Sequence, residues 1–166
     1  TDNWLQKNKE ILPPCPWQHI TFTMPKILSD LFLVNRHLLN QLPALAGSLL
    51  NKLACARGLK PGIFMALHTF GRTLNWHVHL HVSVTQGGLT DDQQWKNLFF
   101  KKNTLMAMWR YALISFLRMQ YQQGALTRAP EMGTQSIPAM LTQQYARYWK
   151  FIAPNRIKIQ KKTSNI

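Results

Sequence analysis

The sequence predicts an α+β fold in which an antiparallel sheet carries helices on one face. Residues 18–24 and 76–85 alternate apolar and polar side chains with a period of two, as strands with one buried face do. In other segments apolar residues recur at helical spacing. Prolines and glycines separate these segments, and 166 residues suit one domain with a proper core.

The N-terminal half is predicted to hold a lead-in segment, a strand and two helices. Residues 1–14 form the lead-in segment, and the strand 18–24 follows it. The apolar side chains of this strand are Ile20, Phe22 and Met24, and the polar ones are His19, Thr21 and Thr23. Pro25 suits a first helical position, and the apolar repeat continues to Leu38. After Pro43, a second helix is predicted over residues 44–57.

The middle of the chain is predicted to contain two further strands, 62–70 and 76–85, joined by a short polar link. Gly87-Gly88 closes the second of them. Asp91 and Asp92 predict the start of a helical stretch, because acidic side chains stabilise a helix N-terminus.

Two helices, 103–123 and 137–149, are predicted in the remainder of the chain, followed by a basic tail. We therefore divide the sequence into a lead-in segment (1–14), one domain (15–150) and a divergent basic tail (151–166).

The charge balance predicts a polyanionic partner. Lysines and arginines number 20 against 6 acidic residues, which gives a formal net charge of +14. Nucleic acid is the commonest such partner; a ribosome-like or membrane-surface protein is the alternative. The candidate phosphate contacts are Arg72, Lys96, Lys101, Lys102, Arg110 and Arg118.

Several protein classes are excluded by the composition. No apolar run approaches the length of a membrane span, and the N-terminal residues lack the apolar stretch of a signal peptide. Cys15 and Cys55 lie forty positions apart, which suggests neither a disulfide framework nor a zinc ribbon. We therefore expect a cytoplasmic location. Because the sequence begins without Met, we also expect processing or a fragment.

The strand 76–85 carries the strongest functional signal. His77, His79 and His81 share one face, and same-face neighbours lie about 7 Å apart, within reach of one metal ion. His19 joins them if the two strands share a sheet. His68 joins them only if its hairpin has an odd-numbered register, which sequence does not determine. The alternative is solvated histidines without metal, but a metal would satisfy their acceptor nitrogens together.

The stretch ALHTFGRTLNWHVHLHVSVTQGGL (66–89) resembles the HUH motif of the two-tyrosine transposases of rolling-circle insertion sequences. In that family a histidine–threonine pair precedes alternating histidines, and a Gly-Gly turn follows them. The matching residues here are His68-Thr69, the histidines at 77, 79 and 81, and Gly87-Gly88. The segments 19–25 and 109–118 are also similar, and the resemblance covers residues 4–150.

This resemblance implies a sheet that holds one divalent ion, Mg²⁺ or Mn²⁺, on the HUH histidines. The ion polarises a phosphate of single-stranded DNA, and a tyrosine hydroxyl attacks it to leave a phosphotyrosine link. It implies His79 and His81 as the metal pair, His77 as the alternative partner and His68 as the third ligand. Imidazole ligands by themselves favour a softer ion such as Mn²⁺ or Zn²⁺.

The sequence departs from the family at both ends. The family's cysteine-rich zinc module has no counterpart here, and its two nucleophilic tyrosines, three residues apart on one helix face, are not matched. Tyr145 and Tyr148 are separated by two residues, and the match stops at Phe151. We therefore expect a truncated copy that binds metal and single-stranded DNA without cleaving it. A basic nucleic-acid-binding module without catalytic activity is the alternative; a cupin-like metalloenzyme would need an almost entirely β fold.

Overall fold

In the computed structural model, residues 14–147 and residue 149 are described. Three strands form an antiparallel sheet in the order β1-β3-β2. Their bounds are Trp17–Thr23 for β1, Ile63–Phe70 for β2 and Trp76–Thr85 for β3. The three predicted strands are therefore confirmed, and β3, the histidine strand, is the central one.

Helices make up most of the remaining structure. Their bounds are Lys26–Val34 for α1, Leu42–Cys55 for α2, Lys102–Gln122 for α3 and Ile137–Ala146 for α4. Short 3₁₀ helices span Arg36–Gln41 and Pro130–Met132. None of the helices in this part of the chain is long and apolar enough to cross a bilayer.

One face of the sheet is buried under the helices, as the alternating pattern predicted. Val78, Leu80 and Val82 of β3 are almost completely buried, as are Ile20 and Phe22 of β1. The ring of Trp109 from α3 lies 4.9 Å from that of Phe22, centroid to centroid, and its Nε1 donates to the Thr23 carbonyl. Each such buried apolar side chain contributes about 1.5–3 kcal/mol to folding. The predicted α+β class, with helices on one face, is confirmed.

The register of the β2–β3 hairpin places His68 among the other histidines. His68 lies directly opposite His79, and Ala66 lies opposite His81. The residue numbers of this pair, 68 and 79, sum to an odd number. The hairpin therefore has the odd-numbered register that places His68 on the same face as His77, His79 and His81. A register shift between His68 and Phe70 then brings Phe70 opposite Trp76.

The helix predicted from Pro25 to Leu38 ends early, at Val34. Pro25 is its cap, and Asn35 follows with a non-helical backbone. The Asn35 amide nitrogen donates to the carbonyls of Leu31 and Thr127, and its oxygen accepts from the Thr127 N–H. These long-range bonds to a buried side chain override the apolar periodicity that predicted a continuous helix.

Smaller boundary errors affect the other helices. The second helix begins at Leu42 rather than Ala44, because Pro43 lies in its first turn, where a proline is tolerated. It ends at Cys55 rather than Arg57. The last helix ends at Ala146.

The prediction of a helix beginning at Asp91 and Asp92 is wrong. A turn closes there, since Thr90 and Gln94 exchange hydrogen bonds, and strand β5 (Trp95–Asn97) follows. Asp91 instead pairs with Lys60, Oδ1 to Nζ, at 2.7 Å.

Strand β5 pairs with β4 (Gly87–Leu89), so the Gly-Gly pair begins a strand rather than forming a turn. A Cβ at Gly88 would lie 2.7 Å from the Lys60 carbonyl oxygen, and one at Gly87 would lie 2.5 Å from the Trp95 ring. Only glycine permits these approaches.

Three predictions concern segments outside the described residues. They are the lead-in segment apart from Pro14, the position of Tyr148 and the basic tail 151–166.

Candidate metal and nucleic-acid site

The face of the sheet opposite the helices carries five of the six histidines. His77, His79 and His81 come from β3, His68 from β2 and His19 from β1. They share a face because β3 alternates and because β1 and β2 pair with it in compatible registers. The sixth histidine, His37, lies exposed in the first 3₁₀ helix.

Three of these imidazoles converge. One ring nitrogen from each of His68, His79 and His81 lies within 4.8 Å of the other two. The ring centroids of His68 and His81 are 4.6 Å apart, and those of His79 and His81 are 4.9 Å apart. The structure thus brings together the predicted pair and the predicted third ligand, in an arrangement that suits one metal ion.

The His79 ring is oriented by its own strand. Its Nδ1 lies 3.0 Å from the carbonyl oxygen of His77. Because only a protonated nitrogen donates to a carbonyl, this bond puts the proton on Nδ1 and leaves the Nε2 lone pair free for a metal. The donor set therefore fits an ion that accepts neutral imidazole.

His77 lies beside the three converging histidines and not among them. Its ring centroid is 5.2 Å from that of His79. Burial, followed by the positive charges of His79 and Lys26, lowers the pKa of His77.

The pKa of His81 is also lowered, first by burial and then by the neighbouring histidines His68, His79 and His19. Protonation would place several positive charges on one small patch. At neutral pH the His81 ring is therefore neutral, which is the form that binds metal.

A wide cavity of about 520 Å³ opens over the histidines. Besides the four histidines of β2 and β3, its lining residues are Thr21, Thr23, Phe70, Gly71 and Arg72. Arg72 is exposed and supplies a positive charge to this cavity. A phosphate beside the histidines would therefore lie within a basic, partly apolar surrounding.

Three of the other predicted DNA-contact residues lie away from the histidines. Lys101 caps α3, Lys102 begins it and Arg110 lies within it, and α3 packs on the apolar side of the sheet. Arg110 donates to the Arg147 carbonyl at 2.8 Å, and its guanidinium lies 5.6 Å from the Tyr145 ring centroid. The structure therefore separates these three residues from the histidine cavity.

Two exposed aromatic residues were missed by the sequence analysis. Phe64 is 62 % exposed and pairs across from Ser83, on the histidine face of β2. Phe70 is 54 % exposed and lines the cavity. The strand 62–70 is apolar on both faces, so only the register distinguishes the exposed phenylalanines from the packed residues.

Residues 62–165, more than half of the chain, match the model of the Y2_Tnp family, described as "Putative transposase". The chain belongs to this family. The match includes His68 and the whole histidine strand of this Y2_Tnp chain, so the family predicted from that strand is confirmed.

Two curated relatives extend this assignment. The Y2_Tnp chain is 50 % identical over 117 residues to the transposase for insertion sequence element IS801 of Pseudomonas savastanoi pv. phaseolicola, covering 70 % of this chain and 28 % of the relative. It is 30 % identical over 132 residues to "Putative transposase y4qJ" of Sinorhizobium fredii (strain NBRC 101917 / NGR234), covering 74 % and 33 %. The chain thus spans about a third or less of these relatives.

A conjugative relaxase, TrwC, is among the similar solved structures. Its metal-free complex with oriT DNA matches the Y2_Tnp chain with a TM-score of 0.46 at 20 % identity, covering 61 % of this chain and 43 % of the relaxase. Its metal-bound complex with oriT DNA matches with a TM-score of 0.46 at 19 % identity.

Proposed function

We propose that this chain is the metal-binding part of a DNA transposase, which holds one divalent ion on His68, His79 and His81 and uses it on single-stranded DNA. The observation that carries this proposal is the convergence of three imidazoles on the open face of the sheet. The family assignment supports a role in transposition.

Three neutral nitrogen ligands determine which ion suits the site. Imidazole binds Mn²⁺ and Zn²⁺ more readily than Mg²⁺, which prefers oxygen, so we propose Mn²⁺ ahead of Mg²⁺. Such an ion supplies Lewis-acid polarisation of a phosphate oxygen. The role of His79 and His81 is to hold it on the exposed side of β3, where a phosphodiester can approach.

Arg72 and Phe70 are the proposed contacts to the DNA strand. Arg72 can bind a phosphate beside the histidines, and the exposed Phe70 ring can stack on a base, as unpaired bases permit. Lys101, Lys102 and Arg110 contribute to the long-range attraction of a chain with net charge +14.

We infer that Tyr145 is not a nucleophile of this reaction. The guanidiniums of Arg110 and Arg118 each lie over its ring, 5.6 and 5.7 Å from the ring centroid. It lies on α4, which packs against α3 on the helical side, and among the described residues no tyrosine lines the histidine cavity. The described part of the chain therefore supplies metal and DNA binding without the attacking hydroxyl.

Titration calorimetry with Mn²⁺ tests the proposed function. We expect one site in the wild-type protein and no saturable binding in the double variant His79→Ala, His81→Ala. His37→Ala removes the exposed histidine of the first 3₁₀ helix, which is not one of the three converging imidazoles, and should bind as the wild type does. Equal binding by the wild type and the double variant would contradict the proposal and would leave the alternative, a basic nucleic-acid-binding module.

A further inference from the structure

His19 contacts the candidate metal site from a different strand. It lies on β1 opposite Ser83, two pairs along from the Thr21–His81 pair and on the same face of the sheet. Its Nε2 lies 3.1 Å from Nδ1 of His81, and the two rings stack with an interplanar angle of 27°. The contact therefore joins two imidazoles separated by 62 positions in the sequence.

This nitrogen-to-nitrogen contact requires one donor and one acceptor. A neutral imidazole carries its proton on one nitrogen and a lone pair on the other. If His81 uses Nε2 for the ion, its proton must reside on Nδ1, and the Nε2 of His19 is then the acceptor. The same bond fixes the rotation of the His81 ring.

We propose that His19 is a positioning residue, which accepts from His81 Nδ1–H and so holds His81 in the tautomer that presents Nε2 to the metal. This inference rests on the proposed metal site. His79 obtains the equivalent bond from the backbone carbonyl of His77 at 3.0 Å. The two ligands of β3 are thus oriented in different ways, one by its own strand and one by β1.

Among the described residues, no other group near the site offers His81 Nδ1 a comparable acceptor. The hydroxyl of Thr21 lies 3.5 Å from the same Nδ1, at the limit of hydrogen bonding. Carboxylates are frequent acceptors for metal-bound histidines, but none is among the described residues that line the cavity. The acceptor lone pair of His19 therefore replaces a carboxylate.

Calorimetric Mn²⁺ affinity of three variants tests this role. His19→Ala removes the acceptor, and we expect binding weaker by about 10-fold or more, the usual loss for an outer partner of a metal ligand. His19→Gln places an amide oxygen near the former Nε2 and should restore most of that loss. His37→Ala, the matched control, should leave the affinity unchanged.

The imidazole ¹⁵N signals of the metal-free protein provide a second measurement at pH 7.5. We expect His81 to be the Nδ1–H tautomer in the wild type and in His19→Gln, and a mixture of tautomers in His19→Ala. Wild-type affinity in His19→Ala, or loss in His19→Gln equal to that in His19→Ala, would overturn the role of His19. Absence of Mn²⁺ binding in the wild type would instead contradict the proposed function, while the tautomers would still report on the bond.

Discussion

The two faces of strand β3 are built from adjacent residues and have opposite properties. Val78 and Val82 are fully buried beneath helices, whereas His79 and His81 lie half-exposed on the open side. Close packing makes the buried face intolerant of changes in volume, while the histidines of the open face contact one another but lie partly in solvent, which accommodates a change in volume more easily. Stability and chemistry are therefore separated within one strand by its period of two, and each can be altered with little effect on the other.

Among the substitutions that test the difference between the two faces, Leu80→Ala should have the largest effect on the free energy of unfolding. Leu80 is 1 % exposed, so its truncation leaves a cavity and should lower the free energy of unfolding by about 3 kcal/mol. The matched change on the open face, His79→Ala, should alter it by no more than about 0.5 kcal/mol. Urea unfolding of the metal-free proteins measures both. Similar losses in the two variants would mean that the faces are not independent.

A smaller effect is expected from removing Arg72 on the open face. Arg72→Ala should weaken binding of single-stranded DNA a few-fold and reduce the salt slope of log K by about 0.7, the value for one phosphate contact. Lys101→Ala removes the same charge from the helical side and should change the slope much less. Fluorescence anisotropy across a salt series measures both slopes. An equal reduction in both variants would indicate that only net charge matters.

The histidines of the open face should also make the free energy of unfolding depend on pH. The folded-state pKa values of His77 and His81 lie below the ordinary 6.5, so the unfolded chain binds more protons as the pH falls through that range. These groups therefore make unfolding easier on acidification below about pH 6.5. The double variant His77→Asn, His81→Asn should show a weaker loss of stability between pH 7.5 and 5.5, measured by urea unfolding with chelator present. An identical pH dependence would refute this cause.

The smallest expected effect concerns Tyr145, on the helical side of the sheet, because we expect the chain not to cleave DNA through this residue. We expect no covalent protein–DNA band when the wild-type chain is incubated with single-stranded DNA and Mn²⁺ and run on a denaturing gel. Positioned nucleophiles supply much of the rate in such reactions, and Tyr145 is held by two arginines instead. A band that disappears in Tyr145→Phe would contradict this inference.

The sequence predicted the parts of the fold that depend on local pattern. Alternation identified β1 and β3 and assigned Leu80 to the core and His79 to the open face, because the side-chain period of a strand is fixed at two. Helical periodicity likewise identified α3 almost to the residue. The three converging histidines were all candidate metal ligands from the motif alone.

The parts that sequence did not predict depend on contacts between distant residues. The place of His68 required the register of β2 on β3, and α1 ends where Asn35 bonds to Thr127, 92 positions away. Asp91 lies in a turn because Gly87–Leu89 pairs with β5. The role proposed for His19 also depends on the pairing of β1 with β3, for which the alternation of polar residues in β1 was the available signal.

The β2–β3 hairpin by itself carries all three histidines of the proposed metal site, so the proposed metal binding is only partly coupled to folding of the whole sheet. The three converging histidines lie between positions 68 and 81, so a single short loop brings them together, and closing it costs little entropy. Hairpins of this kind form within microseconds, and an otherwise unfolded chain can offer the same nitrogens. Because ligand bound to the unfolded chain offsets its effect on stability, we expect Mn²⁺ to raise the unfolding free energy by less than its native affinity implies. The increase that Mn²⁺ does produce measures how much more tightly the assembled sheet binds the ion than the unfolded chain does.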